Sequence, residues 1–215
     1  MHTRLDVLAS GVHDAKNQLF VAESQITAAE ARYGIDLSEA RYAIEAASNR
    51  LSQTLAAYKV LREDAQPAVT PVIVADLCAE VGLDQKKHLA AAGIELSQSC
   101  SVVDEWPLDR DLVTDMLNNA IQNAGRHARS RVHLDARLDA GWLVFSVEDD
   151  GPGVPEALLG QLGTAGLRTD ESRPGHGLGL AIVSDIVAQY GGTLRFGRSA
   201  GLGGLRVEVS LPVAG

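Results

Sequence analysis

Several things are scarce in this chain, and each scarcity excludes a class of protein. Aromatic residues make up 4% of its 215 residues, and Trp106 and Trp142 read as core or edge packing rather than as a base-stacking platform. Cysteine occurs only as Cys78 and Cys100. With no Cys-x-x-Cys or Cys/His cluster, neither a disulfide framework nor a structural zinc site is expected, and a reducing compartment fits best. Basic residues are outnumbered, 19 Lys and Arg against 28 Asp and Glu, for a formal charge of −9. A general phosphate-backbone binder needs clustered cations, so nucleic acid is not an expected partner. No apolar run approaches the roughly 18 residues of a membrane span, and Met1 to Asp6 lacks a signal-peptide core. The expectation is a cytoplasmic protein, or the cytoplasmic part of a longer membrane receptor, with no membrane span in this chain.

What is present begins with two heptad-like series. From Leu5, the residues Leu8, Val12, Ala15, Leu19, Ala22, Ile26, Ala29 and Tyr33 follow in steps of three and four, the seam of a long helix that packs on other helices. Gly34 breaks the series, and a second runs Leu37, Ala40, Ile44, Ala47, Leu51, Thr54, Tyr58 and Leu61. Together they predict a helical hairpin over residues 3–64. Two helices cannot enclose their own apolar seams, so the hairpin is expected to meet a second copy, close a four-helix bundle and make a homodimer. Folding back onto the rest of the chain is the alternative.

Residues 65–71, with Pro67 and Pro71, carry no helical period and read as a linker. Beyond it, residues 72–213 form the second predicted domain. Val72 to Ala92 reads as a helix, Gly93 to Leu96 and Cys100 to Val103 as short strands, and Leu108 to His127 as a helix with Pro107 at its start. Arg131 to Arg137 and Trp142 to Glu148 alternate around Asp139-Ala140-Gly141, a hairpin signal. A helix over Leu178 to Tyr190 follows, then strands Thr193 to Phe196 and Leu205 to Leu211 about a Gly-rich turn. The predicted class is therefore α+β: the bundle-forming hairpin, then a two-layer α/β sandwich whose sheet is mixed and mostly antiparallel.

Chemistry-bearing residues fall in five places. Asn119 and Asn123, four apart, present two amides from one helix face, with Arg126 and His127 one turn on; an amide oxygen is a neutral hard ligand suited to Mg²⁺. Asp149 ends an apolar strand before Gly151-Pro152-Gly153, where a carboxylate on a rigid scaffold could accept an exocyclic amino group. Gly175, Gly177 and Gly179, with Leu178, open a helix whose free amides suit phosphates. The residues before them are no apolar strand, so a dinucleotide fingerprint fails on context. Arg168 and Arg173 stand in the polar stretch from Gly160 to Pro174, placed like a lid. Upstream, His13 lies one position past the seam residue Val12 and should face solvent, beside Asp14 and one turn from Asn17. Each place alone has a bland reading: an Asn-rich helix end, a good turn, a surface histidine. His2, His88, His127, His133 and His176 have no ligand-like spacing, though His127 and His176 lie beside these segments.

In order and combination, these segments resemble the catalytic core of two-component sensor histidine kinases, a phosphoacceptor hairpin followed by a GHKL-type ATP-binding domain. The resemblance covers nearly the whole chain. It implies autophosphorylation of His13 from MgATP and transfer to an aspartate of a response-regulator receiver domain, with Asp14 handling the ring proton. Asn17 matches the position that assists dephosphorylation of the regulator, so phosphatase activity is implied too. By the same resemblance Asn123, with Asn119, would hold Mg²⁺, Asp149 would read adenine, and Arg126, Arg168 and Arg173 would meet the phosphates. Related gyrase and chaperone ATPases carry a water-activating carboxylate where Asn119 stands; an amide cannot accept that proton. Family members often have Phe before the lid, where this chain has Leu158, Leu159 and Leu162, and Asn where it has Asp150. Residues 22–44 are the expected regulator-docking surface. The alternatives are a histidine phosphotransfer protein with a vestigial ATP domain, and a serine kinase or ATPase of the same nucleotide fold.

Overall fold

The two alternating segments about Asp139-Ala140-Gly141 form the central hairpin of a five-stranded sheet. The computed structural model describes residues 67–163 and 179–212, together with residues 15, 18, 19, 21, 22, 25, 26, 29, 30, 32–40, 42–44, 47 and 51. The chain divides into two units, 1–63 and 64–215.

In the first unit the described positions from 15 to 33 are helical, as are those from 38 to 51. Gly34, at φ +63, donates its N–H to Glu30 O at 2.9 Å, a left-handed helix stop that glycine adopts without a Cβ penalty. Asp36 restarts the chain by accepting from Ser38 N at 2.9 Å. The seam residues Ala15, Leu19, Ala22, Ile26 and Ala29 are half-buried, whereas Gln18, Val21 and Gln25 are exposed. Tyr33, read as a seam member, is 65% exposed because the helix ends beside it.

The second unit contains β1 (Thr70–Ile73), α1 (Val74–Ala91), β2 (Glu95–Cys100), β3 (Glu105–Leu108), α2 (Arg110–His127), β4 (Arg131–Asp139), β5 (Trp142–Asp149), α3 (Glu156–Leu159), α4 (Gly179–Gln189), β6 (Thr193–Arg198) and β7 (Leu205–Pro212). The sheet runs β2-β4-β5-β7-β6; β2 and β4 are parallel, and every other neighbour is antiparallel. Ala140 at φ 49 and Gly141 at φ 84 make the two-residue turn from β4 to β5. One sheet face buries Leu134, Phe145 and Leu211 against Met116, Leu117 and Ile121 of α2 and Ile182 and Ile186 of α4. These are among the largest fully buried side chains, and removal of such groups from water is the main stabilising term. Across the other face Arg137 bridges Asp135 at 3.2 Å and Glu208 at 2.8 Å, and Arg206 pairs with Glu208 and Glu148. Among the described residues no helix is long and apolar enough to cross a membrane.

Three boundaries differ from expectation. Thr70 and Pro71, read as linker, lie in β1, which pairs with β3 so that Pro71 faces Pro107. A two-stranded sheet is all edge, so prolines without N–H groups cost it little. Pro107 accordingly belongs to β3 instead of opening α2; the cap is Asp109, whose carboxylate accepts from Leu112 N at 3.1 Å. Finally, the two short strands expected after α1 are one, β2, because Gln98 and Ser99 continue the pairing with β4.

Asp109 is a junction as well as a cap. Its second oxygen accepts from Ala68 N at 2.8 Å, and its backbone N–H donates to the Tyr190 hydroxyl at 2.7 Å. Burial pushes the Tyr190 phenol up to about 12, so it stays neutral. Asp109→Ala should cost about 1–2 kcal/mol, read as a lower urea midpoint at unchanged slope; an unchanged midpoint would refute the capping role.

Candidate functional site

The apolar run of β5 ends in a carboxylate. Asp149 is 1% exposed, and its Oδ1 accepts from Gly151 N at 2.8 Å and from Leu205 N at 3.3 Å. Burial drives its pKa above the ordinary carboxylate value, against the pull of those two bonds and of nearby His127. The backbone closes in around it. A Cβ on Gly204 would fall 2.1 Å from Asp149 Oδ1, and one on Gly151 would fall 2.8 Å from Oδ1 and 2.4 Å from His127 O. Glycine is required at both positions to let three chain segments meet on one side chain. Gly153 follows at φ +73.

Asp149 opens on a cavity of about 280 Å³ that Asn123 and His127 of α2 also line. Its apolar wall is Val154, Leu158, Leu162, Leu180 and Leu205. That volume is near the lower end for ligand pockets, suited to a planar ring more than to a whole nucleotide. Asn119 sits one turn back on α2, 8% exposed. Its Nδ2 donates to Asp115 O at 2.8 Å, while its Oδ1 is buried without a partner and faces Gly179, where a Cβ would come within 3.6 Å. An orphaned buried oxygen costs free energy unless a ligand satisfies it. Two amide oxygens one turn apart fit a Mg²⁺ ion that takes its other ligands from phosphate and water; among the described residues no group of three His, Cys, Asp or Glu side chains could hold a metal.

The structure thus brings Asn123, His127, Asp149 and Gly153 around one cavity, with Gly151 packed behind Asp149, and sets Asn119 against Gly179. Arg126 is exposed and does not line the cavity. His13, Asp14, Asn17, Arg168, Arg173, Gly175, Gly177 and Leu178 lie outside the described residues. His133 is held on the outer sheet face between Ser97 Oγ at 2.9 Å and Ser99 Oγ at 3.2 Å.

Two residues escaped the sequence reading. Gly204 was only part of a Gly-rich turn, yet its N–H donates to Asp149 O at 3.0 Å. Asp150 turns away from the cavity. Its Oδ1 accepts from Arg129 N at 2.8 Å and from Ser130 N and Arg131 N at 3.0 Å each, and its Oδ2 accepts from Ser130 Oγ at 2.7 Å. Burial opposes its ionisation, but these bonds outweigh it and hold the carboxyl well below the usual range. Asp150 thereby clamps the exit of α2 to the end of β5.

A family profile of histidine kinase-, DNA gyrase B-, and HSP90-like ATPases matches residues 108–215, half of the chain. The sensor protein kinase CarS of Pseudomonas aeruginosa is 38% identical over 137 residues, 64% of this chain and 29% of that protein. The sensor protein PhoQ of Escherichia coli is 34% identical over 117 residues, 54% of this chain and 24% of PhoQ. Among solved structures, full-length ShkA in complex with AMPPNP is similar at TM-score 0.67 and 25% identity, over 98% of this chain and 46% of that one. The chain belongs to this ATPase family, as the catalytic core of a two-component sensor kinase. It spans less than a third of the length of the curated relatives named here.

Two predictions rest on this geometry. The depressed pKa of Asp150 contributes stability that is present above the unfolded value of about 3.9 and is lost as pH falls from there toward the folded value. Asp150→Asn should therefore cost roughly 2 kcal/mol near neutral pH, with the gap to wild type closing below about pH 4 in pH-dependent denaturation; a pH-independent gap would exclude the carboxylate as its source. Gly204→Ala should displace Asp149 and weaken ATP binding at least about tenfold, roughly 1.4 kcal/mol, in a protein that remains folded by circular dichroism. Wild-type affinity in that variant would show the close approach to be dispensable.

Proposed function

We propose that the chain moves the γ-phosphoryl group of ATP onto His13 and then to an aspartate of a response-regulator receiver domain, and that it acts as a homodimer through residues 3–64, whose sequence pattern is that of a helical hairpin. The observation that carries the nucleotide part is Asp149. With Oδ1 occupied by two backbone N–H groups, the buried carboxylate is fixed in place beside the cavity, in reach of a base carrying an exocyclic amino group. A fixed, desolvated acceptor discriminates strongly, because a base lacking that donor leaves the carboxylate unpaired.

In this reading the apolar wall of Val154, Leu158, Leu162, Leu180 and Leu205 takes the faces of the adenine ring. Asn123 and Asn119 hold Mg²⁺, which when bound supplies charge neutralisation to the phosphates. Arg126, His127, Arg168 and Arg173, with the backbone amides of Gly175, Gly177, Leu178 and Gly179, orient the phosphate chain. Catalysis is then mainly positioning and electrostatics. The neutral His13 imidazole attacks the γ-phosphorus, the bond to the β,γ-bridging oxygen breaks with ADP as leaving group, and Asp14 accepts the proton from the other ring nitrogen. An amide at Asn119 cannot activate water as a base, which favours transfer over hydrolysis. Asn17 is assigned to orienting water in the reverse duty, dephosphorylation of the regulator. Residues 65–69 serve as the connection between the hairpin, 3–64, and the nucleotide domain, which begins with β1 at Thr70.

The direct test is incubation with γ-labelled ATP and Mg²⁺ beside His13→Gln and Asp149→Asn. Acid-labile label in the wild type and loss of at least about 99% of it in both variants, some 2.7 kcal/mol of transition-state stabilisation, is the expected result. Label surviving His13→Gln would remove His13 as acceptor and favour a kinase of another residue on the same nucleotide fold. Label surviving Asp149→Asn would remove Asp149 as the base-reading group.

A further inference from the structure

The chain's only two cysteines are far apart in the motif pattern and have no part in the nucleotide site. They nevertheless meet. Helix α1 ends in a tight reversal, in which Ile94 N donates to Leu89 O at 2.9 Å, and the chain returns along it as β2. The register between them is marked by Gly82, where a Cβ would lie 1.8 Å from Gln98 Oε1, so the helix backbone at Gly82 rests on the Gln98 side chain. One turn back from Gly82, about 6 Å along α1, is Cys78. Two residues on from Gln98, about 6.6 Å along the same face of β2, is Cys100. The two elements run in opposite directions, so both steps lead the same way in space and bring Cys78 over Cys100. Cys100 stands next to burial among the influences on the Cys78 thiol, and both thiols are free.

The geometry points to Cys78 and Cys100 as a redox-active dithiol that closes to an intramolecular disulfide on two-electron oxidation, by hydrogen peroxide or by a small-molecule disulfide. The pair is asymmetric. Cys78 is 1% exposed, and burial pushes its thiol up to about 12, so it is a poor first nucleophile. Cys100 is half-buried at the end of an edge strand, its Sγ 3.8 Å from Val102 O. With peroxide, the Cys100 sulfur attacks one oxygen, the O–O bond breaks, and a sulfenic acid and water form. The Cys78 sulfur then attacks the Cys100 sulfur; the S–O bond breaks, and the departing hydroxide leaves as water with the Cys78 proton. Two thiols and one peroxide give one disulfide and two waters. The product ties the first turns of α1 to the end of β2. Helix α1 also touches the site-bearing helix α2, through Gln85 Nε2 to Asn118 Oδ1 at 2.9 Å.

The test uses the whole chain, reduced and then equilibrated with hydrogen peroxide or with oxidised glutathione, alkylated under denaturing conditions and digested for mass spectrometry. The expected product is a peptide pair joined through Cys78 and Cys100 at a mass lower by two hydrogens, reversed by dithiothreitol. The oxidised protein should also melt roughly 6–12 °C higher than the reduced one, and Cys100→Ser should abolish both the cross-link and the rise. Recovery of the two cysteines as separate sulfenic, sulfinic or glutathione adducts would overturn the assignment. So would a cross-link between two copies of the chain, or complete alkylation of both thiols after exposure to oxidant.

Discussion

Burying one carboxylate at the end of a central strand constrains most of what surrounds it. Desolvation of an ionised group is costly, and it is tolerable only where donors are brought to it. Asp149 receives those donors from Gly151 and Leu205, on two different segments, so β7 must arrive beside β5 in a fixed register and the residue just before it must be small. The antiparallel pairing from Glu148↔Arg206 to Trp142↔Pro212 supplies the register. Gly204 supplies the space. The neighbouring carboxylate does the complementary task. Asp150 gathers three consecutive backbone N–H groups at the exit of α2 and so fixes where the Asn123 and His127 turns of that helix end relative to Asp149. Two adjacent acids thus have opposite electrostatics, one made harder to ionise by burial and one made easier by bonds.

Helix α2 is the element on which these demands converge. Its positions 116, 120 and 124 are buried in the core, and 119, 123 and 127 follow at the same four-residue spacing on an adjoining face. Against α1 it packs closely enough that a Cβ on Gly125 would lie 2.3 Å from Leu89 Cδ2. Against α4 it presents Asn119 to Gly179. Its start is tied through Asp109 to Tyr190, just beyond the end of α4. The charged lattice of Asp135, Arg137, Glu148, Arg206 and Glu208 lies on the opposite sheet face; the Glu208 hydrogen bond heads the influences that raise the Arg137 pKa. Its partly exposed pairs add little to stability individually, but they keep that face polar.

The legible features were those with a local period or a local stop. Alternation revealed β4 and β5, the Gly-rich turn marked β6 and β7, helices were expected where α2 and α4 stand, and Gly34 marked a helix end that the left-handed φ bears out. Asn123, His127 and Asp149 could be grouped because the motifs that carry them resemble, in order and combination, those of a sensor histidine kinase. What stayed hidden depends on contacts remote in sequence. Pairing of Pro71 with Pro107 leaves no local signal, and two prolines argue for a linker in any local reading. Asp150 looked like a variant of a turn residue, since the N–H groups that define its task come from the far side of β4. Gly204 could not be told from its neighbours Gly201 and Gly203, because nothing near it in the chain records that a carboxylate lies against it. The thiol pair was hidden for the same reason.

A site assembled this way places its sensitivity in the backbone. The donors to Asp149 are amides, the close approaches are made by glycines, and the clamp at Asp150 acts on main-chain N–H groups. Changes that keep the backbone path are tolerated, while an added methyl group at Gly151 or Gly204 has nowhere to go. The cavity wall follows the opposite rule. Leu158 and Leu162 contribute apolar area, which is non-directional, so leucine can stand where family members often carry phenylalanine without any change in the polar constellation. Asn119 lies between these extremes: its Nδ2 is spent on its own helix, and its buried Oδ1 has no partner. That unsatisfied acceptor is a local cost to the folded protein without ligand, and a cation or donor arriving beside Gly179 would relieve it. The same atom would then lower stability in the empty site and add affinity in the filled one.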